Sequence, residues 1–277
     1  MSGTTLSVGV AQIATGASPA DNLVRVRSAI ADLAGRGARV VLLPEASLVR
    51  FGVDPRPHAE ALDGPWASSV REAARQHGVV ALVGTFTPAG DRVRNTILVT
   101  GDDLHTGYEK IHLYDAYSFV ESAAVEPGDT PLVFEVDGIT VGVATCYDVR
   151  FPELFRELAD RGADVVLVTA HWGVGEGKID AWRLLNRARA LDATTWIVAC
   201  DQADASQAGI EEPPGTRFGV GHSLVVSPLG QVLAELDEGE GHLLYTVDID
   251  QVREARKQLP ILANRRLNRT SAAATSS

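Results

Sequence analysis

Two different spacings of hydrophobic residues along the chain predict an α/β fold. Continuous apolar runs at 40–43 and 165–168 are typical of strands that are buried on both faces. Apolar residues at helical spacing predict helices at about 18–35 and 66–77, one that begins near Pro152, one around 184–191 and a last one from about Asp250. Alternating residues predict the remaining strands, near 6–12, 79–86, 93–99, 105–109, 138–145, 195–199, 221–227, 232–236 and 242–247.

Two segments repeat the same transition from a helix to a buried strand. The sequence Arg-Gly-Ala-Arg-Val-Val-Leu at 36–42 is matched by Arg-Gly-Ala-Asp-Val-Val-Leu at 161–167, and each glycine stands where it would cap the preceding helix. This repeat predicts approximate internal two-fold symmetry, and the alternative is a chance similarity between two such joins. Because strands outnumber helices in the second half, we expect two packed sheets with helices outside.

Composition and charge narrow the class of protein. Of the 277 residues, 45% are hydrophobic and 22% are charged, as in ordinary soluble globular proteins. The net charge of −11 argues against nucleic acid and anionic membranes as partners. The sequence predicts no signal peptide and no transmembrane helix, and its two cysteines do not suggest a disulfide framework, so we expect a cytoplasmic protein. No linker divides the chain, which predicts one domain over 1–270 and a disordered tail at 271–277.

The segment 138–154 begins as a strand and ends as a helix, with Cys146 at the join. Small and β-branched residues alternate as far as Thr145, and Pro152 suits the first turn of a helix. A thiol at such a join is expected near the positive end of a helix dipole, which favours the nucleophilic thiolate. The alternative is that Cys146 is a small buried hydrophobe, as most free cysteines are.

Two other strand ends carry groups that complement a thiol. Glu45 follows the apolar run at 40–43, and Lys110 follows the strand predicted near 105–109. A thiolate that attacks a carbonyl or nitrile carbon needs a base for its proton and a cation for the developing anion. Glu121, in the irregular segment 111–128, offers a second carboxylate. Taken singly, each of these charges could be a solvated surface group.

Several motifs, in order along the chain, resemble those of the nitrilase superfamily of carbon–nitrogen hydrolases. The resemblance extends from about residue 6 to about residue 266, and its Cys-Tyr-Asp-Val-Arg-Phe-Pro-Glu run is most similar to the branch of the ω-amidases and related Nit-type amidases. The motifs lie at 43–45, 108–115, 119–122, 127–129, 146–153, 181–182, 187–190, 221–223 and 248–250.

The resemblance implies a four-layer α-β-β-α sandwich and a Glu-Lys-Cys triad that needs no metal or organic cofactor. By position, Glu45 would be the general base, Lys110 the stabiliser of the tetrahedral intermediate and Cys146 the nucleophile. Glu121 falls where many members have a substrate-orienting glutamate, and the backbone N–H of Tyr147 would help form the oxyanion hole. Members typically form dimers, so a homodimer or a higher homo-oligomer is expected.

Other residues are predicted to shape the substrate pocket. His171 and Trp172 follow the buried strand at 165–168, so we expect them near the pocket mouth, in contact with the substrate. Phe51, Phe119 and Tyr117 are further candidates for its lining. Simple packing is the alternative for each of them. The segment 201–219 lacks recognisable family residues, which makes it a candidate for setting specificity.

The reaction expected from these features is hydrolysis of a small-molecule amide to a carboxylic acid and ammonia through a cysteine thioester. A monoamide of a dicarboxylic acid is favoured by the Nit-type resemblance. An N-carbamoyl amino acid amidohydrolase or a nitrilase would need nearly the same triad, and a catalytically silent binding protein would have lost a triad member. The histidines lack metal-ligand spacing, the run 173–178 misses a phosphate-binding loop by one residue, and no G-x-S-x-G motif is present.

Overall fold

The computed structural model describes residues 4–117, 119–211 and 217–267, which form two six-stranded sheets and one two-stranded sheet. The predicted tail lies outside these ranges. Within them, no helix is both long and apolar enough to cross a membrane. The strands are β1 (Thr5–Gln12), β2 (Val40–Leu42), β3 (Val80–Ala89), β4 (Arg92–Gly101), β5 (Leu104–Glu109), β6 (Asp115–Ala116), β7 (Phe119–Val120), β8 (Val133–Val136), β9 (Ile139–Thr145), β10 (Val165–Ala170), β11 (Trp196–Asp201), β12 (Leu224–Val226), β13 (Val232–Glu235) and β14 (Gly241–Asp248). The helices are α1 (Pro19–Gly35), α2 (Pro65–His77), α3 (Pro152–Asp160), α4 (Lys178–Ala193), α5 (Asp250–Gln258) and α6 (Ile261–Asn264).

Three apolar clusters separate the fold into four layers. In the first, α1 and α2 pack on the outer face of one sheet, where Ile30 is fully buried. The second lies between the two sheets and joins Val10 of β1 to Leu167 of β10. In the third, α3 and α4 cover the other sheet, with Phe155 and Trp182 fully buried. The order α-β-β-α confirms the predicted sandwich.

The two sheets share one topology, which confirms the internal two-fold symmetry. Their strand orders are β14-β1-β2-β3-β4-β5 and β8-β9-β10-β11-β12-β13, and in each the second, third and fourth strands pair in parallel. The repeated joins are also equivalent. Gly37 and Gly162 have φ angles of 97° and 96°. Their N–H groups donate to the carbonyls of Ala34 and Ala159 at 2.9 and 3.0 Å.

The helix predicted around 184–191 is confirmed as α4, but its leucines do not mark the most buried side. Leu184 and Leu191 are 64% and 42% exposed, whereas Trp182 is fully buried. The buried side of α4 also carries the polar residues Asn186 and Arg189. The spacing of apolar residues identifies the leucine-bearing side of α4, because it does not register polar residues that are buried.

Candidate active site

Three strand ends from both sheets bring Glu45, Lys110 and Cys146 together at one end of the sandwich. Glu45 follows β2, Lys110 follows β5 and Cys146 follows β9. Nζ of Lys110 lies 2.9 Å from Oε1 of Glu45, and the charges of both residues act on the pKa of the Cys146 thiol. Their exposed fractions are 0% for Glu45, 1% for Lys110 and 7% for Cys146, which lines a pocket.

A tight turn after β9 sets the direction of the Cys146 side chain. Cys146 has a positive φ of 48°, a backbone conformation that costs about 1–3 kcal/mol in a residue other than glycine. A 3₁₀ turn follows over Cys146–Arg150. The buried carboxylate of Asp148 accepts a hydrogen bond from the N–H of Thr145 at 2.8 Å, so it closes the turn around the cysteine.

The predicted thiolate is wrong for the resting site. Helix α3 begins only at Pro152, so the thiol of Cys146 does not lie at the start of an α-helix. Burial raises the pKa of Cys146 well above its ordinary value, and the charge of Glu45 raises it further, against the lowering effect of Lys110. The resting side chain is therefore a neutral thiol that needs a base.

Lys110 lies between two carboxylates. Its Nζ is 2.8 Å from Oε2 and 3.1 Å from Oε1 of Glu121, in addition to its contact with Glu45. Burial acts to lower the pKa of Lys110, but the charges of Glu121 and Glu45 outweigh it and hold the pKa well above its ordinary value. Burial also raises the pKa of Glu45, as does the charge of Glu121, against the opposing effect of Lys110. The site thus combines a persistent ammonium with a carboxylate that accepts a proton readily.

Asn95 connects the two carboxylates, and the sequence analysis missed it. Its Nδ2 donates to Oε1 of Glu45 at 2.8 Å and to Oε1 of Glu121 at 3.0 Å. Its backbone carbonyl accepts the N–H of Lys110 at 2.8 Å. Asn95 is fully buried in the strand β4, a fact that its sequence neighbours do not show.

The turn that carries Glu45 packs directly against the backbone of β3 at Gly84. A Cβ on Gly84 would lie 2.4 Å from the nitrogen of Ala46 and 2.6 Å from the carbonyl oxygen of Pro44. No side chain fits there, so a glycine is required. Oε2 of Glu45 also accepts the backbone N–H of His171 at 2.9 Å, which anchors the carboxylate to the second sheet.

The pocket that contains Cys146 is mostly aromatic, and two cations besides Lys110 line it. Lys178 and Arg150 line the pocket together with the residues that follow the strand ends. The guanidinium of Arg150 lies 5.3 Å from the ring centroid of Trp172, and Nζ of Lys178 lies 3.3 Å from the hydroxyl of Tyr114. The aromatic lining residues are Phe51, Tyr114, Phe119, Tyr147, His171, Trp172 and Phe218.

The structure places the other predicted pocket residues in two locations. Phe51, His171 and Trp172 line the pocket that contains Cys146, and so does Tyr147. Tyr117 does not line it. It is 83% exposed on an outer groove, because the short hairpin β6–β7 carries it away from the sulfur. Within the described residues, no group of His, Cys, Asp and Glu side chains has the geometry of a metal site.

The family of the protein is decided by a match over most of the chain. A model of the carbon–nitrogen hydrolase family matches residues 7–257. The chain belongs to this family. This match confirms the resemblance to the nitrilase superfamily that was inferred from the sequence motifs. The protein is therefore a carbon–nitrogen hydrolase.

Relatives of this carbon–nitrogen hydrolase point to the same branch. A hydrolase of Mycobacterium tuberculosis is 44% identical over 268 residues, which cover 94% of this chain and 95% of the relative. The omega-amidase of Mus musculus is 32% identical over 272 residues, which cover 95% of each chain. These matches confirm the placement near the ω-amidase and Nit-type branch.

Solved structures of carbon–nitrogen hydrolases share the fold. A superfamily protein of Xanthomonas campestris has a TM-score of 0.83 at 25% identity and covers 95% of this chain and 98% of its own. The amidase of Nesterenkonia sp. AN1 has a TM-score of 0.76 at 26% identity, and the match covers 92% of this chain and 95% of the amidase chain. In that structure the acetamide moiety of fluoroacetamide is bound covalently to the active-site cysteine. The predicted reaction class, amide hydrolysis, agrees with these comparisons.

Proposed function

We propose that this carbon–nitrogen hydrolase cleaves small linear amides through a thioester on Cys146. The observation that carries the proposal is the contact of Lys110 with Glu45 beside the buried thiol, at the base of an aromatic pocket. A neutral thiol, a base whose pKa is raised and a persistent ammonium are the three groups that the reaction needs.

The first half of the proposed reaction forms the thioester. Glu45 takes the proton of the Cys146 thiol as the sulfur attacks the amide carbon. The developing oxyanion is stabilised by the ammonium of Lys110 and by the backbone N–H of Tyr147, since N–H groups in the first turn of a helical segment have no intrahelical acceptor. As the tetrahedral intermediate collapses, Glu45 returns its proton to the nitrogen, and ammonia leaves.

The second half hydrolyses the thioester. Glu45 takes a proton from a water molecule as the water oxygen attacks the acyl carbon, and the carbon–sulfur bond then breaks. The proton returns to Cys146, and a carboxylic acid is released. Glu121 also contacts Lys110, at 2.8 Å, and we assign it to orienting the ammonium and the substrate amide.

The two pocket cations support a substrate with an anionic end. Arg150 and Lys178 line the pocket and contact aromatic rings, and within the described ranges neither forms an ion pair with a carboxylate. A substrate carboxylate would neutralise them. We therefore propose a monoamide of a dicarboxylic acid, a class that agrees with the name of the omega-amidase relative.

The test is ammonia release from a panel of amides, nitriles and N-carbamoyl amino acids. We expect turnover of neutral amides and faster turnover of succinamate, with an acyl-enzyme detectable by intact-mass spectrometry after acid quenching. Cys146→Ala should abolish both signals, and Cys200→Ala should preserve them, because Cys200 is fully buried between the sheets. Activity on nitriles or N-carbamoyl compounds alone would overturn the amide assignment.

Substitution of each pocket cation tests the anionic end separately. Arg150→Gln and Lys178→Gln should raise KM for succinamate about tenfold or more and leave KM for propanamide nearly unchanged. An equal effect on both substrates would contradict a carboxylate contact while leaving amide hydrolysis intact.

We also propose that the protein forms a homodimer in the reducing cytoplasm. Leu184 and Leu191 of α4 are exposed, and Leu191 lies beside Gly230 in the β12–β13 hairpin, which adds the exposed residues Leu229 and Leu233. Such an apolar surface is typical of a subunit interface. Light scattering should give twice the mass of the chain, and Leu191→Glu should give the mass of a monomer. A monomeric wild type at micromolar concentration would refute the homodimer.

A further inference from the structure

His171 lines the pocket and has a hydrogen-bonding atom without a partner in the described part of the chain. The side chain is 3% exposed, and its Nδ1 has no hydrogen-bond partner within the described residues. The ring stacks on Phe51 with centroids 5.3 Å apart and an interplanar angle of 12°. The ring also forms a hydrogen bond with the backbone of Phe218. This bond acts to raise the pKa of His171, which is the effect of a carbonyl that accepts an imidazole N–H, so the imidazole is the donor. Because Nδ1 is unpaired, the donating atom is Nε2.

The unpaired Nδ1 is therefore an acceptor. Burial, and then the charge of Arg50, lowers the pKa of His171 to about 3, so the ring is neutral at physiological pH. With its proton on Nε2, the neutral imidazole presents a lone pair at Nδ1. A buried acceptor without a partner is uncommon in native proteins and costs free energy, whereas a ligand that donates to it recovers that cost.

The position of His171 limits which part of a substrate can reach it. Its backbone N–H donates to Oε2 of Glu45 at 2.9 Å. Its ring lines the same pocket as the sulfur. His171 therefore contacts the proposed base and lines the pocket of the sulfur, which Arg150 and Lys178 also line.

We propose that Nδ1 of His171 accepts a hydrogen bond from a hydroxyl or ammonium group on the carbon next to the scissile carbonyl. The preferred substrates are then 2-hydroxy or 2-amino amides. This inference rests on the proposed amide hydrolysis and makes His171 a specificity-determining residue. Its loss should change the choice among amides rather than the chemistry common to them.

The test uses two amides of nearly equal shape. Lactamide carries a hydroxyl where isobutyramide carries a methyl group. The quantity measured is the ratio of their kcat/KM values, since both depend equally on Cys146. His171→Phe keeps an aromatic ring against Phe51 and removes Nδ1, and His171→Asn places its amide oxygen near the position of Nδ1. We expect the ratio to fall about tenfold or more in His171→Phe and to be retained in His171→Asn.

Each other outcome has a defined meaning. An unchanged ratio in His171→Phe overturns the inference, even when both amides react more slowly. A fall in both variants also overturns it, because the ring packing would then be responsible. If His171→Phe does not fold, as judged by near-ultraviolet circular dichroism, His171→Leu is the second variant without an acceptor. Failure of the wild type to hydrolyse any amide would overturn the proposed function and this inference with it, whereas hydrolysis with an unaffected ratio overturns only the inference.

Discussion

The phenol of Tyr108 donates a hydrogen bond of 2.7 Å to Oδ2 of Asp148, and this contact joins the two halves of the site. Tyr108 lies in β5 just before Lys110, and Asp148 lies in the turn just after Cys146. Burial, together with the charge of Asp148, raises the pKa of Tyr108 well above its ordinary value, so the phenol remains a donor. The carboxylate of Asp148 therefore binds both the strand that precedes Lys110 and the turn that begins at Cys146.

Asp148→Asn should lower kcat more than it changes KM. The carboxylate accepts from Tyr108, from the N–H of Thr145 and from the N–H of His112, and an amide has only one acceptor oxygen. Tyr108 and Thr145 both donate to Oδ2, whereas His112 donates to Oδ1, so the amide leaves at least one of these donors without an acceptor. The positive φ of Cys146 then loses support, and we expect kcat to fall tenfold or more in a folded protein. Tyr108→Phe removes only one bond and should have a smaller effect, about 1 kcal/mol in unfolding free energy. Full activity of Asp148→Asn would show that the turn holds its shape alone.

Glu45→Gln should abolish hydrolysis but make Cys146 more acidic. Burial is the main cause of the raised pKa of Cys146, and the charge of Glu45 is the next, whereas Lys110 lowers it. Removal of the Glu45 charge therefore increases the thiolate fraction at pH 7. Iodoacetamide labelling, followed by mass spectrometry from pH 6 to 10, should show labelling at lower pH in the variant than in the wild type. A later onset in Glu45→Gln would contradict the charge argument.

Glu121→Gln should shift the acid limb of the pH profile to lower pH. The proposed base must be ionised to act, and its pKa lies above the ordinary value for a glutamate, first because of burial and then because of the Glu121 charge. Without that charge, Glu45 loses its proton at lower pH. The midpoint of the rise in kcat/KM with pH measures the shift, whatever the loss in absolute rate. A midpoint that stays in place or moves upwards would argue against Glu45 as the titrating group.

Gly84→Ala should lower activity through the position of Glu45. The added Cβ would overlap backbone atoms of Pro44 and Ala46, so the turn has to move. We expect kcat to fall at least tenfold and the melting temperature to decrease. Gly35→Ala is the matched control, because a Cβ there would meet no atom within 4 Å, and it should preserve both quantities. Equal behaviour of the two variants would show that the turn tolerates the displacement.

The sequence predicted the parts of the site that lie where strands end. Glu45 follows the continuous apolar run at 40–43, Lys110 follows the strand predicted near 105–109, and Cys146 stands where strand spacing changes to helical spacing. Such positions lie at the ends of strands, where side chains from different strands meet. The family motifs then supplied the pairing of these three residues, which no local pattern contains.

The remaining errors have a common physical origin in tertiary contacts. Asn95 acquires its role only when β4 lies between Glu45 and Glu121, so its sequence neighbours gave no sign of it. The pKa of Cys146 depends on burial and on a charge from the other sheet. Tyr117 is directed outwards by a hairpin of two-residue strands, too short to produce a periodic pattern.

The division of the site between the sheets makes the enzyme sensitive to their alignment. Glu45 and Lys110 follow strands of one sheet, and Cys146 follows a strand of the other. Apolar side chains such as Val10 and Leu167 pack between the two sheets. A slip of about 1 Å between the layers would separate the proton acceptor from the sulfur while leaving every strand intact, since catalysis tolerates little misplacement. Turnover should therefore be lost earlier on heating than circular dichroism records any loss of secondary structure.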